Sequence, residues 1–354
     1  LHDALPISEL NVAFTIGSFA ERLTVGGHGR LSAALPARSG IVLVPVATGA
    51  GKTRTGAMLR IDALPAKVEG DTLTVSGRND NASAFQLVLD GQLSRAVRVM
   101  PEPDGSWRAL FPIGDLMDES VPHELTAWQA ETASVSPSRT FRARKNWKPL
   151  LTVSDPRGDD LGRTGKLRYP GDPGWGGNHQ CDIEKISAAS AGGALRIEVR
   201  LRGMTRLWDP PNGFDHMAVT LFLEMPGRPG GSRVMPKQNG ELPEGMRWHY
   251  RLRVHGWGNI WHGSEGAGAD NEGRVLSPGA QIKADTATRT LRITLPAAVL
   301  GNPVSLSGAK LYINTWDYDF DYRPLSPEGG PMMFGGGKPE DTKVMDETAV
   351  LALP

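Results

Sequence analysis

Three runs in the C-terminal part of this 354-residue chain bring carboxylates together with glycine, proline or aromatic rings: Asp155-Pro156-Arg157-Gly158-Asp159-Asp160, Trp208-Asp209-Pro210-Pro211-Asn212-Gly213-Phe214-Asp215, and Thr315-Trp316-Asp317-Tyr318-Asp319-Phe320-Asp321-Tyr322-Arg323. Carboxylate oxygens in glycine- and proline-rich turns are ligands for hard cations such as calcium. Asp155, Asp159 and Asp160 form one candidate set of this kind. Asp317, Asp319 and Asp321 form a second, because at period two they share a face if the strand that carries them continues. An EF-hand is excluded at the second set, since Tyr322 stands where that loop needs glycine. No His or Glu beside the first set supplies a base, so an ion there would stabilise the fold rather than catalyse.

Six of the nine tryptophans, Trp175, Trp208, Trp248, Trp257, Trp261 and Trp316, fall after residue 150. Indole faces pack against the C–H faces of sugar rings, while Asn and Asp nearby hydrogen-bond hydroxyls. Trp257, Asn259 and Trp261 in one Gly-containing segment, Trp208 and Asp215 in another, and Trp175 in a third are the candidate carbohydrate contacts. Trp248 and Trp316 lie on strand-like segments and are assigned to the core, as are Trp107 and Trp128. Catalytic residues are not assigned: the Gly-x-Ser-x-Gly elbow, His-Glu-x-x-His and Cys/His metal clusters are all missing from the sequence. His216, His249, His255 and His262 are read as hydrogen-bonding groups. The lone cysteine, Cys181, is read as a small core residue.

The elements that must hold these residues are strands. With 43 Gly and 27 Pro and no Gly-X-Y period, the chain is rich in turns, and its apolar residues alternate in runs of five to eight. Leu195, Ile197, Val199 and Leu201 fall on one side of such a run, with Arg196, Glu198 and Arg200 on the other. The fold class is therefore all-β, a tandem of antiparallel β-sandwich modules. Three parts are expected: 1–54, a small β-domain remnant whose residues 1–8 read as foreign to the fold; 55–147, an immunoglobulin-like sandwich; and 148–354, a larger jelly-roll-like sandwich. The basic, proline-ended run Arg144-Lys145-Asn146-Trp147-Lys148-Pro149 marks the second boundary.

Thirty-nine basic residues balance 39 acidic ones, so no net field draws nucleic acid, and no apolar run reaches the 18 residues of a membrane span. A phosphate loop is the remaining alternative at Ala47-Thr48-Gly49-Ala50-Gly51-Lys52-Thr53, with Gly49, Lys52 and Thr53 as its nucleotide contacts. Val46 occupies the place of the first glycine, and the segment after Leu64-Pro65 is strand-like rather than βαβ.

The Asp155 to Tyr169 run, with Leu167-Arg168-Tyr169-Pro170 at its end, resembles the start of the C-terminal module of glucodextranase, itself similar to family nine carbohydrate-binding modules. Leu35 to Pro45 resembles the last strand of the β-domain that comes after the barrel in alpha-amylase-type enzymes of glycoside hydrolase family thirteen, and the middle part resembles the immunoglobulin-like spacers of secreted glycosidases. Together these resemblances imply the C-terminal region of a secreted or surface-held bacterial enzyme of alpha-glucan breakdown. They imply a structural calcium near an end of the last module, and binding to starch-like alpha-glucan or cell-envelope glycan. A purely structural module is the alternative.

Overall fold

The structure, a computed structural model, describes residues 59–129, 134–177, 179–277 and 279–354, and the backbone of three strands before them. Residues 1–8, the Gly49-to-Thr53 loop and the expected boundary at 54/55 lie outside the described residues. The chain divides into two compact units, Leu1–Lys145 and Asn146–Pro354. Among the described residues, no helix is long and apolar enough to cross a membrane.

In the first unit, β1 (Glu9–Ile16), β2 (Arg22–Thr24) and β3 (Gly40–Pro45) form an antiparallel sheet in the order β2-β1-β3. The next nine strands are β4 (Leu59–Ile61), β5 (Lys67–Glu69), β6 (Thr72–Asn79), β7 (Phe85–Leu89), β8 (Gln92–Val99), β9 (Ser106–Pro112), β10 (His123–Gln129), β11 (Ser134–Val135) and β12 (Arg139–Arg144). They build the facing sheets β4-β6-β9 and β5-β12-β10-β7-β8, with β11 paired to β10. Alternation produces the sandwich: Leu73 and Val75 of β6 point inward between exposed threonines and meet Leu87, Leu125 and Phe141 of the opposite sheet. Trp107 is buried in this core, edge-on to Phe85 at 4.9 Å between ring centroids.

The second unit starts with β13 (Lys148–Ser154), a short α1 (Pro173–Gly176) capped by the Asp172 carboxylate, and β14 (Ile183–Ala191) and β15 (Ala194–Leu201). Next come β16 (Ala218–Glu224), β17 (Val234–Met235), β18 (Gly240–Glu241), β19 (Tyr250–His255), β20 (Gly258–Gly263), β21 (Arg274–Leu276), β22 (Gln281–Asp285) and β23 (Thr290–Leu295). The last five are β24 (Lys310–Trp316), β25 (Tyr318–Asp319), β26 (Asp321–Tyr322), β27 (Asp346–Glu347) and β28 (Leu351–Ala352). One sheet runs β13-β14-β15-β23-β22 and the other β21-β20-β19-β16-β24-β27, with β28 also on β24. As the alternation requires, Leu195, Ile197, Val199 and Leu201 of β15 are fully buried against Val219, Leu221, Leu252 and Ile313 of the second sheet.

The second sheet departs from one packed and one wetted face. All of β16 up to Leu223 is buried, because its outer face is covered too. Phe222, Trp248 and Tyr312 pack there with Met235, Leu242, Met246 and Val344, contributed by the segments between β16 and β19 and before β27. Next to this apolar patch the outer face is polar, with Thr220, Arg251, Arg253 and Asn314 all buried.

Gly192-Gly193 connect β14 to β15 in a two-residue turn with both residues at positive φ (54° and 83°), the mirror-image turn that the twist of a hairpin favours. A Cβ at Gly193 would also collide with the Pro303 carbonyl. Gly193→Ala is expected to destabilise the second unit by about 1–3 kcal/mol, read as a lower urea midpoint for the transition tracked by near-UV circular dichroism.

Candidate functional site

Two groups of side chains in the second unit carry chemistry. The first gathers around the end of β13. Asp155 comes directly after that strand, Asp159 stands exposed in the turn, and Asp346 reaches in from β27; one carboxylate oxygen of each lies within 4.8 Å of the others. Buried Asp346 accepts the Ile183 N–H on Oδ2 (2.6 Å) and its neighbour's N–H on Oδ1 (2.7 Å), which fixes its orientation. Asp182, fully buried, accepts the Gly158 N–H (2.9 Å) and Arg202 (3.2 Å) on Oδ2. Its Oδ1 and Asp155 Oδ2 are buried without a hydrogen-bond partner.

Burial, then Asp159 and Asp182, push Asp155 up to about 6. Burial, with Asp155 and Asp159 adding to it against the Ile183 amide, pushes Asp346 up to about 8. Three converging carboxylates and two silent buried oxygens are what a hard divalent cation would satisfy. Asp160 is differently engaged. It accepts from Tyr169 Oη (2.6 Å) and contacts His179 Nδ1 (2.8 Å), and with His179 and Asp182 it makes a second, adjoining set within 4.8 Å.

The expected grouping of Asp317, Asp319 and Asp321 does not form, because the strand does not continue. The chain reverses at Phe320, which sits at φ +59°, so that Asp319 pairs with Asp321 across the β25–β26 hairpin. Arg323 then neutralises two of the three, bonding Asp317 and Asp319.

The second group lies at the end of β19. Its turn into β20 carries Trp257, 56% exposed, and the 208–213 loop carries Trp208, 68% exposed. Asn212 ties these loops together: its Nδ2 donates to the His255 carbonyl (2.7 Å) and the Gly258 carbonyl (3.2 Å), and its N–H donates to the Gly256 carbonyl (2.9 Å). Asp215 is buried and closes the loop from within, accepting the Trp208 N–H (2.6 Å), Thr205 Oγ1 (2.6 Å) and His216 Nδ1 (3.0 Å). With that proton on Nδ1, His216 Nε2 accepts the Trp208 indole N–H at 3.1 Å. Both the backbone and the ring of Trp208 are held, leaving an indole face in solvent.

Other expected contacts serve elsewhere. Trp261 is fully buried, stacked on Tyr250 at 5.3 Å, because on β20 it points into the sandwich. Trp175 is buried edge-on to His216 at 4.2 Å and beneath Arg323 at 5.0 Å, so it supports the Trp208 loop from below. Asn259 lies on β20 with its Oδ1 buried and unpartnered. Trp248 and Trp316 are fully buried, the latter 4.0 Å from Phe334.

Residues that no sequence motif singles out also meet here. Arg251 of β19, fully buried, donates to Glu272 Oε2 and to Tyr322 Oη, both at 2.7 Å; Tyr322 Oη in turn lies 2.9 Å from Thr220 Oγ1. Arg253 lies 3.6 Å beneath the Tyr318 ring and 3.4 Å from Glu272 Oε1. Against burial, Arg251 and Arg253 hold Glu272 below the usual glutamate range. Burial and a neighbouring guanidinium push His255 and His262 down to about 4.

A family model described as the C-terminal binding-module, SLH-like, of glucodextranase matches residues 150–352. The chain belongs to this family. The match covers the second unit from the middle of β13 to the end of β28, and therefore both groups described above. No curated protein matches the chain.

The carboxylate cluster makes stability depend on pH with a definite sign. Asp155 and Asp346 have folded values above the ordinary carboxylate value, so between the two the folded state holds more protons, and stability is present at low pH and lost as pH rises through about 6 and about 8. In chelator, the thermal midpoint of the second unit is expected to fall as pH is raised from about 5 to about 9. Scanning calorimetry across that range checks this, and Asp346→Asn should flatten the upper half of the profile.

Proposed function

We propose that the second unit is a non-catalytic glycan-binding module that holds a secreted enzyme of alpha-glucan breakdown on polysaccharide or on the cell envelope. The observation that carries this reading is the pair of exposed indoles, Trp208 and Trp257, on loops locked together by Asn212. Large apolar rings held rigidly in water cost free energy unless a partner covers them, and sugar rings present the flat C–H faces that fit. Membership of a family of binding modules supports the same reading. The alpha-amylase-type parent is proposed from the resemblance of Leu35 to Pro45, and secretion or surface attachment comes with that parentage.

Calcium belongs to the same proposal, as a structural ion held by Asp155, Asp159 and Asp346, with Asp182 closing the inner side. It would replace the protons that Asp155 and Asp346 otherwise retain and so remove the repulsion among them. Its carboxylates come from the ends of β13 and β27 and from the segment before β14, so an ion there would tie these elements together.

Retention of the full chain on immobilised starch, pullulan, dextran and cell-envelope polysaccharide tests the binding reading. Trp257→Ala and Trp208→Ala should each weaken retention by about tenfold, the order expected when a stacked aromatic is lost. His216→Ala should weaken it less, by freeing the Trp208 ring. Retention that none of these changes alters would remove the aromatic loops from the site, and no retention on any glycan would point to a purely structural module. For the ion, millimolar calcium should raise the thermal midpoint at pH 8 more than at pH 5, and Asp346→Asn should abolish that rise.

A further inference from the structure

We propose that Arg253 forms an anion subsite beside the aromatic loops, so that the glycan held there carries a carboxylate, as a uronic acid does. This rests on the cell-envelope part of the glycan-binding reading, since starch-like alpha-glucans carry no carboxylate, and goes beyond it by naming the sugar class. Arg253 is 3% exposed, yet its Nε and Nη1 have no hydrogen-bond partner. Among the described residues its ion-pair partner is Glu272, whose Oε1 lies 3.4 Å from Nη2, and the other oxygen of that carboxylate is taken by Arg251 at 2.7 Å. One carboxylate thus serves two buried guanidiniums.

The surrounding groups do not make up the difference. His255 and His262, pushed down to about 4, carry no charge at neutral pH. Asp319 is bonded by Arg323, and Asp321 Oδ1 is turned to the Tyr322 N–H at 2.8 Å. Burying a cation with silent N–H donors is costly, and a hydroxyl would satisfy the donors without balancing the charge. A carboxylate does both.

The position also fits. β19 leads from Arg253 through His255 to Trp257, and Tyr318 lies over Arg253 while packing on His255 at 4.7 Å. Tyr318 is itself only half-buried, at the base of a hairpin of two residue pairs whose tip, Phe320, is 96% exposed. A shift of that ring would expose the guanidinium face it covers to a ligand resting on the aromatic loops.

Calorimetry on the full chain tests this with oligogalacturonate, oligoglucuronate and glucuronoxylan oligosaccharides, each beside its carboxyl-reduced form. The carboxylated partner should bind about tenfold or more tighter, with the advantage shrinking as NaCl is raised. Arg253→Gln should bring the two forms level, by weakening the carboxylated form about tenfold more than the reduced form. Should that variant fail to fold, the wild-type Arg253 Nε–H nuclear magnetic resonance signal decides: it should move with the carboxylated oligosaccharides and stay with the reduced ones. Equal affinity for both forms would overturn the anion subsite and leave the glycan-binding reading standing. Binding of neither form, together with no retention on starch, pullulan, dextran or envelope polysaccharide, would overturn both. A loss in Arg253→Gln equal for the two forms would reduce Arg253 to a structural role.

Discussion

The buried guanidinium of Arg251 governs the architecture of the second unit. A fully buried cation on a central strand must be paired, and the partners it finds are not on its own sheet: Glu272 comes from the segment before β21 and Tyr322 from the β25–β26 hairpin. Satisfying one charge therefore draws two irregular segments onto the outer face of the sheet, where Thr220 bonds the same tyrosine. Once the hairpin is in place, Tyr318 covers Arg253 and contacts His255, and the β19–β20 turn beyond it is where Asn212 docks the Trp208 loop. The Trp208 loop thus docks at the end of the same strand that carries the buried charge pairing.

The carboxylate cluster, at the start of β14, obeys a different logic. Asp155, Asp159 and Asp346 are brought together by strand pairing, β13 to β14 and β27 to β24, with the Ile183 and Glu347 amides directing Asp346. Protons or a divalent cation must occupy what the backbone has assembled. The two groups share one sandwich but no side chain.

Much of the fold is legible in the sequence because it rests on period two. Leu195 to Leu201 alternate in sequence and in space, and Gly192-Gly193 mark their turn. What the pattern does not show is a sheet covered on both sides. Arg251 and Arg253 alternate with Leu252 and Val254 as solvent-facing residues would, and only the distant Glu272 and Tyr322 make them interior. The same limit explains Trp261, whose Gly- and Asn-rich surroundings suggest a loop although it lies on β20 facing the core. Alternation places Asp317, Asp319 and Asp321 on one face of a continuing strand; the reversal at Phe320 depends on a positive φ that no local signal such as glycine announces. Asp155 and Asp159 are visible as a turn, whereas Asp346 and Asp182 enter by long-range pairing.

The proposed function has ligand meeting the two exposed indoles, Trp208 and Trp257, while the buried ones hold the fold. Nuclear magnetic resonance of the indole N–H groups, recorded while glycans from neutral alpha-glucan oligosaccharides to oligogalacturonate are titrated into the full chain, addresses each tryptophan separately. Saturable shifts are expected at Trp208 and Trp257, with Trp248, Trp261 and Trp316 unmoved. Shifts confined to the buried tryptophans or to Trp107 and Trp128 of the first unit, or no shift with any glycan from a folded chain, would contradict that division of labour.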